Sequence, residues 1–332
     1  MPIQTKEGRE LSTKEWAKSF DLRGCIVPPK GMLYLQSDWA QIEVIALATV
    51  LDALLKRTSN LTKIINDTVC VEGRAYPNDV HTMLAAMILE ESYEKIFPLR
   101  KKDPKVAQAR QMAKAAVFGL PGGMSSRTFM LFAKDAYGVS LTLKQAQNLK
   151  KLWYSLLGED MHEYFDYIES NYTEGIVQLV SARVRGGLSY CAAANTLFQG
   201  LAADAAKYTL CVLEWAAEVS PLELQQLVPG ARSAGFLKEC SYVLNQFIHD
   251  EFIGVAKDPG GNLPFLQERY EAIKKQVAGN WETLRQMSSS PDYPTVCLAL
   301  VEKGMIMIDC AAYYFRGMTI REEGQITRRW SK

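Results

Sequence analysis

Apolar and polar residues change their spacing several times along the N-terminal half of the chain. Two short apolar runs around a Pro-Pro-Lys-Gly turn, in GCIVPPKGMLYLQSD (24–38), predict a hairpin. The spacing then becomes helical over 41–55, and PNDVHTMLAAMILE (77–90) predicts a further helix with Asn78 or Asp79 near its N-cap. This half therefore combines strands with helices.

The middle of the chain is predominantly helical. A long helix is predicted after Pro104, and GLPGGMSS must end it near Gly119. Helical patterns continue over 124–176, VQLVSARVRGGLSY (177–190) indicates strand and turn, and an alanine-rich helix follows over 191–218.

Strands return in the last third. SYVLNQFIHDEFIGV (241–255) predicts two apolar strands that flank the polar residues 249–251. A helix is predicted over 263–287, and GMIMIDCAAYY (304–314) has the composition of a last strand. We therefore predict an α+β fold, in which a small antiparallel sheet with flanking helices carries acids at its strand ends.

Composition and charge are those of an ordinary globular protein. The chain has 332 residues, of which 48% are apolar and 23% charged, enough for two or more lobes. The formal net charge is +1, so a nucleic-acid site would have to be a local patch, such as RKKDPKVAQARQMAK (100–114). The seven cysteines never form CxxC pairs, which favours free thiols in a reducing compartment. Without a transmembrane run or a signal-peptide core, we expect a cytoplasmic protein with no membrane partner.

Two carboxylates end predicted strands, and a third follows directly. Asp38 ends an apolar strand, and Asp250 and Glu251 lie at the turn of the predicted strand pair. Carboxylates mounted on neighbouring strands could share hard divalent cations such as Mg²⁺. Paired Mg²⁺ ions stabilise the attacking and leaving oxygens in phosphoryl transfer.

A further group lies on one predicted helix face. Arg110, Lys114 and Phe118 are spaced i, i+4, i+8, and two cations followed by an aromatic ring suit a triphosphate and its base. Each feature alone has a more common explanation as a turn, a solvated helix face or core, and His81 alone would be a packed or capping residue. Their occurrence together in one order favours function.

That order resembles the family A DNA polymerases, the DNA polymerase I type that includes many phage replicases. SDWAQIE (37–43) is similar to the first family motif, D-Y-S-Q-I-E, and RQMAKAAVFGLPGG (110–123) to the second, R-x₃-K-x₃-F-G. IHDE (248–251) is similar to the third, V-H-D-E, while NDVHT and NTLFQGLAAD match two lesser segments. The resemblance implies template-directed DNA synthesis from dNTPs on primer–template DNA.

It also implies a role for each matching residue. Asp38, Asp250 and the backbone carbonyl of Trp39 would hold two Mg²⁺ ions, for which Mn²⁺ can substitute, with Glu251 as a supporting carboxylate.

The nucleotide side of the site is implied in the same way. Arg110, Lys114 and His81 would contact the triphosphate, and Lys114 would also protonate the departing pyrophosphate. Phe118 would pack on the sugar and base and discriminate against dideoxynucleotides, while Glu43 would exclude a 2′-hydroxyl. Four further matches would lie near the nucleotide and in the primer–template minor groove: Gln41, Asn195, Gln199 and His249.

The resemblance implies a palm at 1–76 and 177–332 and fingers at 77–176. Three positions depart from the family pattern: Gly122 replaces a Tyr that stacks at the templating site, Cys191 an Arg, and Phe247 a Gln. Each replacement removes a possible DNA contact, so we expect a looser grip on the nascent base pair.

MPIQTKEGREL (1–11) resembles a stretch that family members carry inside the polymerase domain. The exonuclease-like domain, the thumb and the first part of the palm would precede it. We therefore expect weak binding of primer–template DNA. The favoured interpretation is a split polymerase with a separate N-terminal partner chain, in host-cell cytoplasm if phage-encoded; a truncated or minimal enzyme is the other.

Other functional classes remain open at this point. A catalytically weak or inactive DNA-binding or assembly subunit could retain the fold, although the intact acidic and basic matches oppose it. The His249–Glu251 spacing prompts a zinc nucleobase deaminase, but the required P-C-x-x-C is absent. Single-subunit RNA polymerases share the palm, whereas Glu43 favours DNA.

Overall fold

The computed structural model describes residues 24–71, 73–248 and 250–330, together with two short strands near the N-terminus. By contacts the chain divides into two compact units. Unit 1 comprises Met1–Ala40, Lys207–Cys310 and Arg321–Lys332, and unit 2 comprises Gln41–Ala206 and Ala311–Ile320. The palm and fingers bounds expected from the sequence stay a prediction.

The strands are short and all of their pairings are antiparallel. They are β1 (Ile3–Gln4), β2 (Glu10–Leu11), β3 (Met32–Trp39), β4 (Thr68–Val71), β5 (Arg74–Pro77), β6 (Ile176–Val177), β7 (Val184–Arg185), β8 (Val243–Ile248), β9 (Glu251–Lys257) and β10 (Glu322–Thr327).

Helices account for most of the remaining described residues. They are α1 (Ile42–Leu55), α2 (Asn60–Asn66), α3 (Val80–Leu89), α4 (Tyr93–Ile96), α5 (Pro104–Gly119), α6 (Ser126–Tyr137), α7 (Leu143–Leu157), α8 (Asp160–Asn171), α9 (Tyr190–Glu218), α10 (Pro221–Leu227), α11 (Phe236–Glu239), α12 (Leu263–Val277), α13 (Trp281–Arg285) and α14 (Thr295–Tyr314). None of these helices is both long and apolar enough to cross a membrane.

Unit 1 is built on a four-stranded sheet in the order β10-β3-β9-β8. Alternate residues of β3 point to opposite faces of the sheet, and most of them are buried, so both faces of the strand are covered. On one side the indole of Trp39 donates to the carbonyl of Met307 in α14 (3.2 Å). On the other side an apolar cluster joins Tyr34, Ile253, Val255 and Trp330. The contacts on both faces of the sheet hold β3 and β9 in place.

The hairpin predicted over 24–38 is wrong. Only its second run becomes a strand, β3, and its neighbours are β9 and β10. The first run is irregular, and Val27 is mostly exposed. Pro28 and Pro29 follow it and have no N–H to donate to a ladder, which explains why no strand forms there.

The strand predicted over 304–314 is also wrong, because these residues end the long helix α14. Residues 296–307 of α14 are buried without interruption, so the segment lacks the amphipathic period that marks a surface helix. The helix predicted over 263–287 is two helices, since Asn280 accepts from two backbone N–H groups and starts α13 anew.

Unit 2 confirms most of the helical predictions. α5 spans Pro104–Gly119, and Asp103 caps its N-terminus by accepting from two backbone N–H groups. Three helices, α6, α7 and α8, fill the region expected to be helical over 124–176. The strand and turn expected over 177–190 reduce to the two-residue pair β6–β7.

Candidate active site

A row of acidic residues crosses one end of the sheet in unit 1. Asp38 of β3 lies opposite Glu323 of β10 on one side and opposite Glu251 of β9 on the other. Directly opposed residues in antiparallel strands project their side chains to the same face, with Cα atoms about 4.5–5.5 Å apart. These three carboxylates form the acidic row.

The two predicted metal ligands lie at this same end of the sheet. The backbone N–H of Trp39, next to Asp38, donates to the carbonyl of Asp250 (3.4 Å). Asp250 begins the turn into β9, so its backbone is tied to the end of β3. His249 lies outside the described residues, and its expected contact with the primer stays a prediction.

Glu251 is only 4% exposed, and the indole Nε1 of Trp330 donates to its Oε2 (3.4 Å). Trp330 also packs against Tyr34 and Ile253. The Glu251 carboxylate is therefore held by Trp330 and almost completely shielded from solvent. No pattern in the sequence singles out Trp330, which lies 79 positions from Glu251.

The donor set of this end of the sheet suits Mg²⁺. That ion takes oxygen ligands and is usually bound by one or two carboxylates together with substrate phosphates and water. Asp38, Asp250 and the carbonyl of Trp39 supply such oxygens, and Mn²⁺ accepts the same ones. Within the described part of the chain, no group of three or more His, Cys, Asp and Glu is arranged as a metal cage.

Arg110, Lys114 and Phe118 lie on α5 in unit 2, as predicted. The Arg110 guanidinium is held by α3 and its cap: Nη2 pairs with Asp79 Oδ2 (2.6 Å), and Nε donates to Thr82 Oγ1 (2.8 Å). The half-buried Lys114 has no ion pair among the residues described. One cation of the face is therefore fixed in orientation, while the other is available.

Asp79 both caps α3 and forms an ion pair at its start. Its Oδ1 accepts from the backbone N–H groups of His81 (3.1 Å) and Thr82 (3.4 Å), which caps the helix, while its Oδ2 holds Arg110. Burial acts to raise the pKa of Asp79, but the hydrogen bond and charge of His81 and the charge of Arg110 hold that pKa well below its usual range. Asp79 therefore stays ionised.

Aromatic rings connect the remaining residues of this face. His81 and Phe118 have ring centroids 5.4 Å apart, and Phe118 stacks on Tyr137 at 6.3 Å. Burial and the charge of Glu43 raise the pKa of Tyr137 to about 12, so this phenol remains neutral. His81 is buried, and its Nε2 has no hydrogen-bond partner within the described chain. The structure thus brings His81, Phe118 and Tyr137 together, and the charge of Glu43 acts on Tyr137, which the sequence did not predict.

The Asp79–Arg110 pair is expected to stabilise unit 2. In a double-mutant cycle of Asp79→Asn, Arg110→Met and both together, we expect a coupling free energy of about 1–2 kcal/mol, because the pair is largely shielded from water. Asn still caps a helix well, so the cycle isolates the ion pair from the cap. Urea unfolding of the four proteins measures the coupling, and strictly additive effects would contradict it.

Asn195 and Tyr190 lie against the glycine turn that follows α5. A Cβ atom at Gly122 would come 2.7 Å from Asn195 Nδ2, and one at Gly123 would come 2.5 Å from the ring of Tyr190. Gly122 ends the short turn that follows α5, and the Asn195 amide occupies the space that a side chain there would fill. Any residue other than glycine at position 122 would have to displace this amide.

A side chain at Gly122 is expected to displace Asn195. We expect Gly122→Ala to lower the free energy of unfolding by about 1–3 kcal/mol, and Gly122→Ala with Asn195→Ala to recover most of that loss relative to Asn195→Ala alone. Urea unfolding measures both. Equal losses in the two backgrounds would show that the contact is not the cause. Restoring Tyr at 122 therefore moves Asn195 as well, and its effect on misincorporation has to be compared with Asn195→Ala.

Other residues of the matched α9 segment hold the β6–β7 turn. The side-chain amide of Gln178 occupies the space that a Cβ atom at Gly200 would fill. Its Nε2 donates to the carbonyl of Thr196 (2.5 Å). Asp204 accepts from Ser181 Oγ (2.6 Å) and pairs with Arg183 (2.9 Å). Gly200 and Asp204 thus have structural roles.

The remaining predicted residues are less constrained by contacts. Gln199 is exposed, and Gln41 begins α1 in a left-handed conformation with a buried Oε1 that has no hydrogen-bond partner among the described residues. Of the departures, Cys191 is exposed, and the ring of Phe247 packs 4.7 Å from that of Phe252. Phe247 therefore contributes to packing of the sheet.

Comparison with known proteins gives relatives that are bacterial DNA polymerases I. DNA polymerase I of Aquifex aeolicus (strain VF5) is 27% identical over 134 residues, 40% of this chain and 19% of the relative. DNA polymerase I of Lactococcus lactis subsp. lactis (strain IL1403) is 25% identical over 226 residues, 64% of this chain and 21% of the relative. The matches thus span about a fifth of each relative. No family model matches the sequence.

A solved structure extends the similarity to the fold. The POL domain of Pol1 from M. smegmatis, in complex with DNA primer-template and dNTP, matches with a TM-score of 0.54 at 14% identity. The match covers 93% of this chain and 42% of that chain. The mixed fold with small antiparallel sheets is therefore similar to that of a DNA polymerase domain.

Proposed function

We propose that this chain carries out template-directed DNA synthesis, in which the 3′-hydroxyl of a primer attacks the α-phosphorus of a dNTP. The bond to the β-phosphate breaks, pyrophosphate leaves, and the proton of the hydroxyl is released. The observation that carries the proposal is the pair Asp38 and Asp250 at adjoining strand ends, in a fold similar to a DNA polymerase domain. The named relatives are DNA polymerases, which supports the same activity.

Asp38 and Asp250, with the Trp39 carbonyl, would hold two Mg²⁺ ions. When bound, these ions would favour the ionised primer oxygen and offset charge on the phosphates. Glu251, fixed by Trp330, would keep the local potential negative and the turn in place.

The nucleotide would be bound by the α5 face. Arg110, already oriented by Asp79, would contact phosphate oxygens, and Lys114 would supply a second charge and donate a proton to the leaving pyrophosphate. Phe118, backed by Tyr137, would pack against the sugar and base. Glu43 would exclude a ribose 2′-hydroxyl, so that dNTPs are preferred.

Primer extension tests the proposal directly. The purified chain, a labelled primer annealed to template, Mg²⁺ and dNTPs are expected to give addition of the templated nucleotide and little addition with rNTPs. High concentrations of chain and DNA offset the weak DNA binding expected. Binding of primer–template without any incorporation would favour the alternative, a DNA-binding or assembly subunit without catalysis.

The separate N-terminal partner chain stays a prediction of the same proposal. A chain that carries a thumb and an exonuclease-like domain is expected to lengthen the products and to increase DNA affinity when it is added. Long, processive synthesis by this chain alone would contradict the need for a partner.

A further inference from the structure

Lys303 lies within α14 and is fully buried. Its Nζ donates to the backbone carbonyls of Leu35 (2.8 Å) in β3 and Phe252 (2.6 Å) in β9, and the ring of Tyr242 lies 5.7 Å away. These two strands lead to Asp38 and Asp250. The ammonium therefore lies against the centre of the sheet and has only neutral hydrogen-bond partners among the described residues.

The adjacent charge on α14 does not neutralise it. Glu302 is also fully buried, but its carboxylate accepts from Ser233 Oγ (2.6 Å) and from three backbone N–H groups in and just before the first turn of α11. A buried ammonium without a contacting carboxylate is costly, and such groups are usually compensated by charge elsewhere.

The acids whose charges attract the Lys303 ammonium lie at one end of the sheet, and Glu322 among them is outside the acidic row. Burial lowers its pKa to about 7, while Glu322 of β10, Glu251 of β9 and Asp38 of β3 act to raise it. Glu322 is itself buried and pairs with Lys274 (2.8 Å). Electrostatic coupling is reciprocal. The ammonium that these acids attract must therefore repel any other cation that they attract.

We propose that Lys303 is an internal counter-cation of the acidic row, and that it weakens the binding of divalent cations there in the absence of nucleotide. The inference rests on the proposed function, which makes Asp38 and Asp250 the ligands of those cations. It agrees with the absence of a cage of three or more ligands among the residues described. Cations then bind firmly only when the phosphates of a nucleotide add their own negative oxygens.

The test measures binding of Mn²⁺ to the whole chain by electron paramagnetic resonance of the free ion, without DNA or nucleotide, at pH 6. Lys303→Met is expected to bind Mn²⁺ about tenfold more tightly than the wild type. For a unit charge and a divalent ion about 10 Å apart, an effective dielectric constant of about 40, between those of a protein site and of water, changes an equilibrium constant by roughly that factor.

Three variants make the result specific. Lys303→Gln keeps a donor for the two carbonyls without the charge, and is expected to match Lys303→Met. Lys275→Met removes an exposed charge from α12 and is expected to change the dissociation constant less than about twofold. Asp38→Asn combined with Lys303→Met is expected to lose the tighter binding of Lys303→Met, which identifies where the ion binds.

The melting temperature separates this role from a structural one. Because an ammonium with neutral partners is replaced by an apolar chain of similar length, Lys303→Met is expected to melt at the wild-type temperature or above it. If Lys303→Met does not fold, Lys303→Gln decides. Affinity for Mn²⁺ that is unchanged or weaker in the folded variants overturns the inference, even when the wild type extends primers. A wild type that extends no primer and binds no Mn²⁺ contradicts the proposed function itself.

Discussion

Asp250→Asn is expected to lower the rate of nucleotide incorporation by about 10³-fold or more. The substitution keeps the size of the side chain and one oxygen, but removes the charge that a hard divalent cation requires. Loss of metal assistance costs several kcal/mol of transition-state stabilisation, and each 1.36 kcal/mol is a factor of about ten in rate. Single-turnover incorporation at saturating dNTP measures the effect.

Two controls show whether the loss is specific to the ligand pair. Glu323→Gln removes a charge from the exposed end of the acidic row and is expected to cost less than about tenfold. Asp292→Asn changes an exposed loop and is expected to have no effect. The Asp250 backbone carbonyl still accepts from Trp39, so the turn should persist and the melting temperature should hold. An Asp250→Asn protein within tenfold of wild type would remove the two-metal proposal.

Much of the architecture near the candidate site could be predicted, because it depends on local signals. α5 begins after an Asp-Pro pair and ends before a Gly-Gly turn, and the structure confirms both bounds. Asp38 and Asp250 could be singled out because each interrupts an apolar strand pattern. Their proximity could not be derived in the same way, since it depends on the register of β3 against β9.

The parts that were missed depend on contacts between distant positions. Trp330 holds Glu251 from 79 positions away, and Asp79 holds Arg110 across 31 positions. Lys303 had no signal at all, because α14 is buried without interruption over residues 296–307 and shows no amphipathic period there. Long-range pairing of this kind leaves no spacing pattern in the sequence.

Glu302→Ala is expected to lower the free energy of unfolding by at least about 3 kcal/mol. Its Oε1 accepts from Ser233 Oγ and the N–H groups of Ala234 (2.6 Å) and Gly235 (2.9 Å), and its Oε2 accepts from the N–H of Leu237 (2.8 Å). Truncation leaves three donors without an acceptor, because the Gly235 N–H also donates to Ser233 Oγ (3.0 Å), and each unsatisfied buried donor costs about 1–3 kcal/mol. That total is a large part of the 5–15 kcal/mol typical of a folded protein.

A graded series of variants attributes the loss to these hydrogen bonds. Glu302→Gln keeps one accepting oxygen but places an NH₂ group against the N–H donors of the loop. We therefore expect its free energy of unfolding to fall by about 1–2 kcal/mol less than that of Glu302→Ala. Glu268→Ala removes an exposed carboxylate from α12 and is expected to change stability by less than about 0.5 kcal/mol. Urea unfolding followed by circular dichroism measures all three. If Glu302→Ala and Glu302→Gln lose the same amount, the cavity rather than the unsatisfied donors sets the cost. If both resemble Glu268→Ala, the carboxylate does not hold the loop that leads through α11 towards the strands of the acidic row.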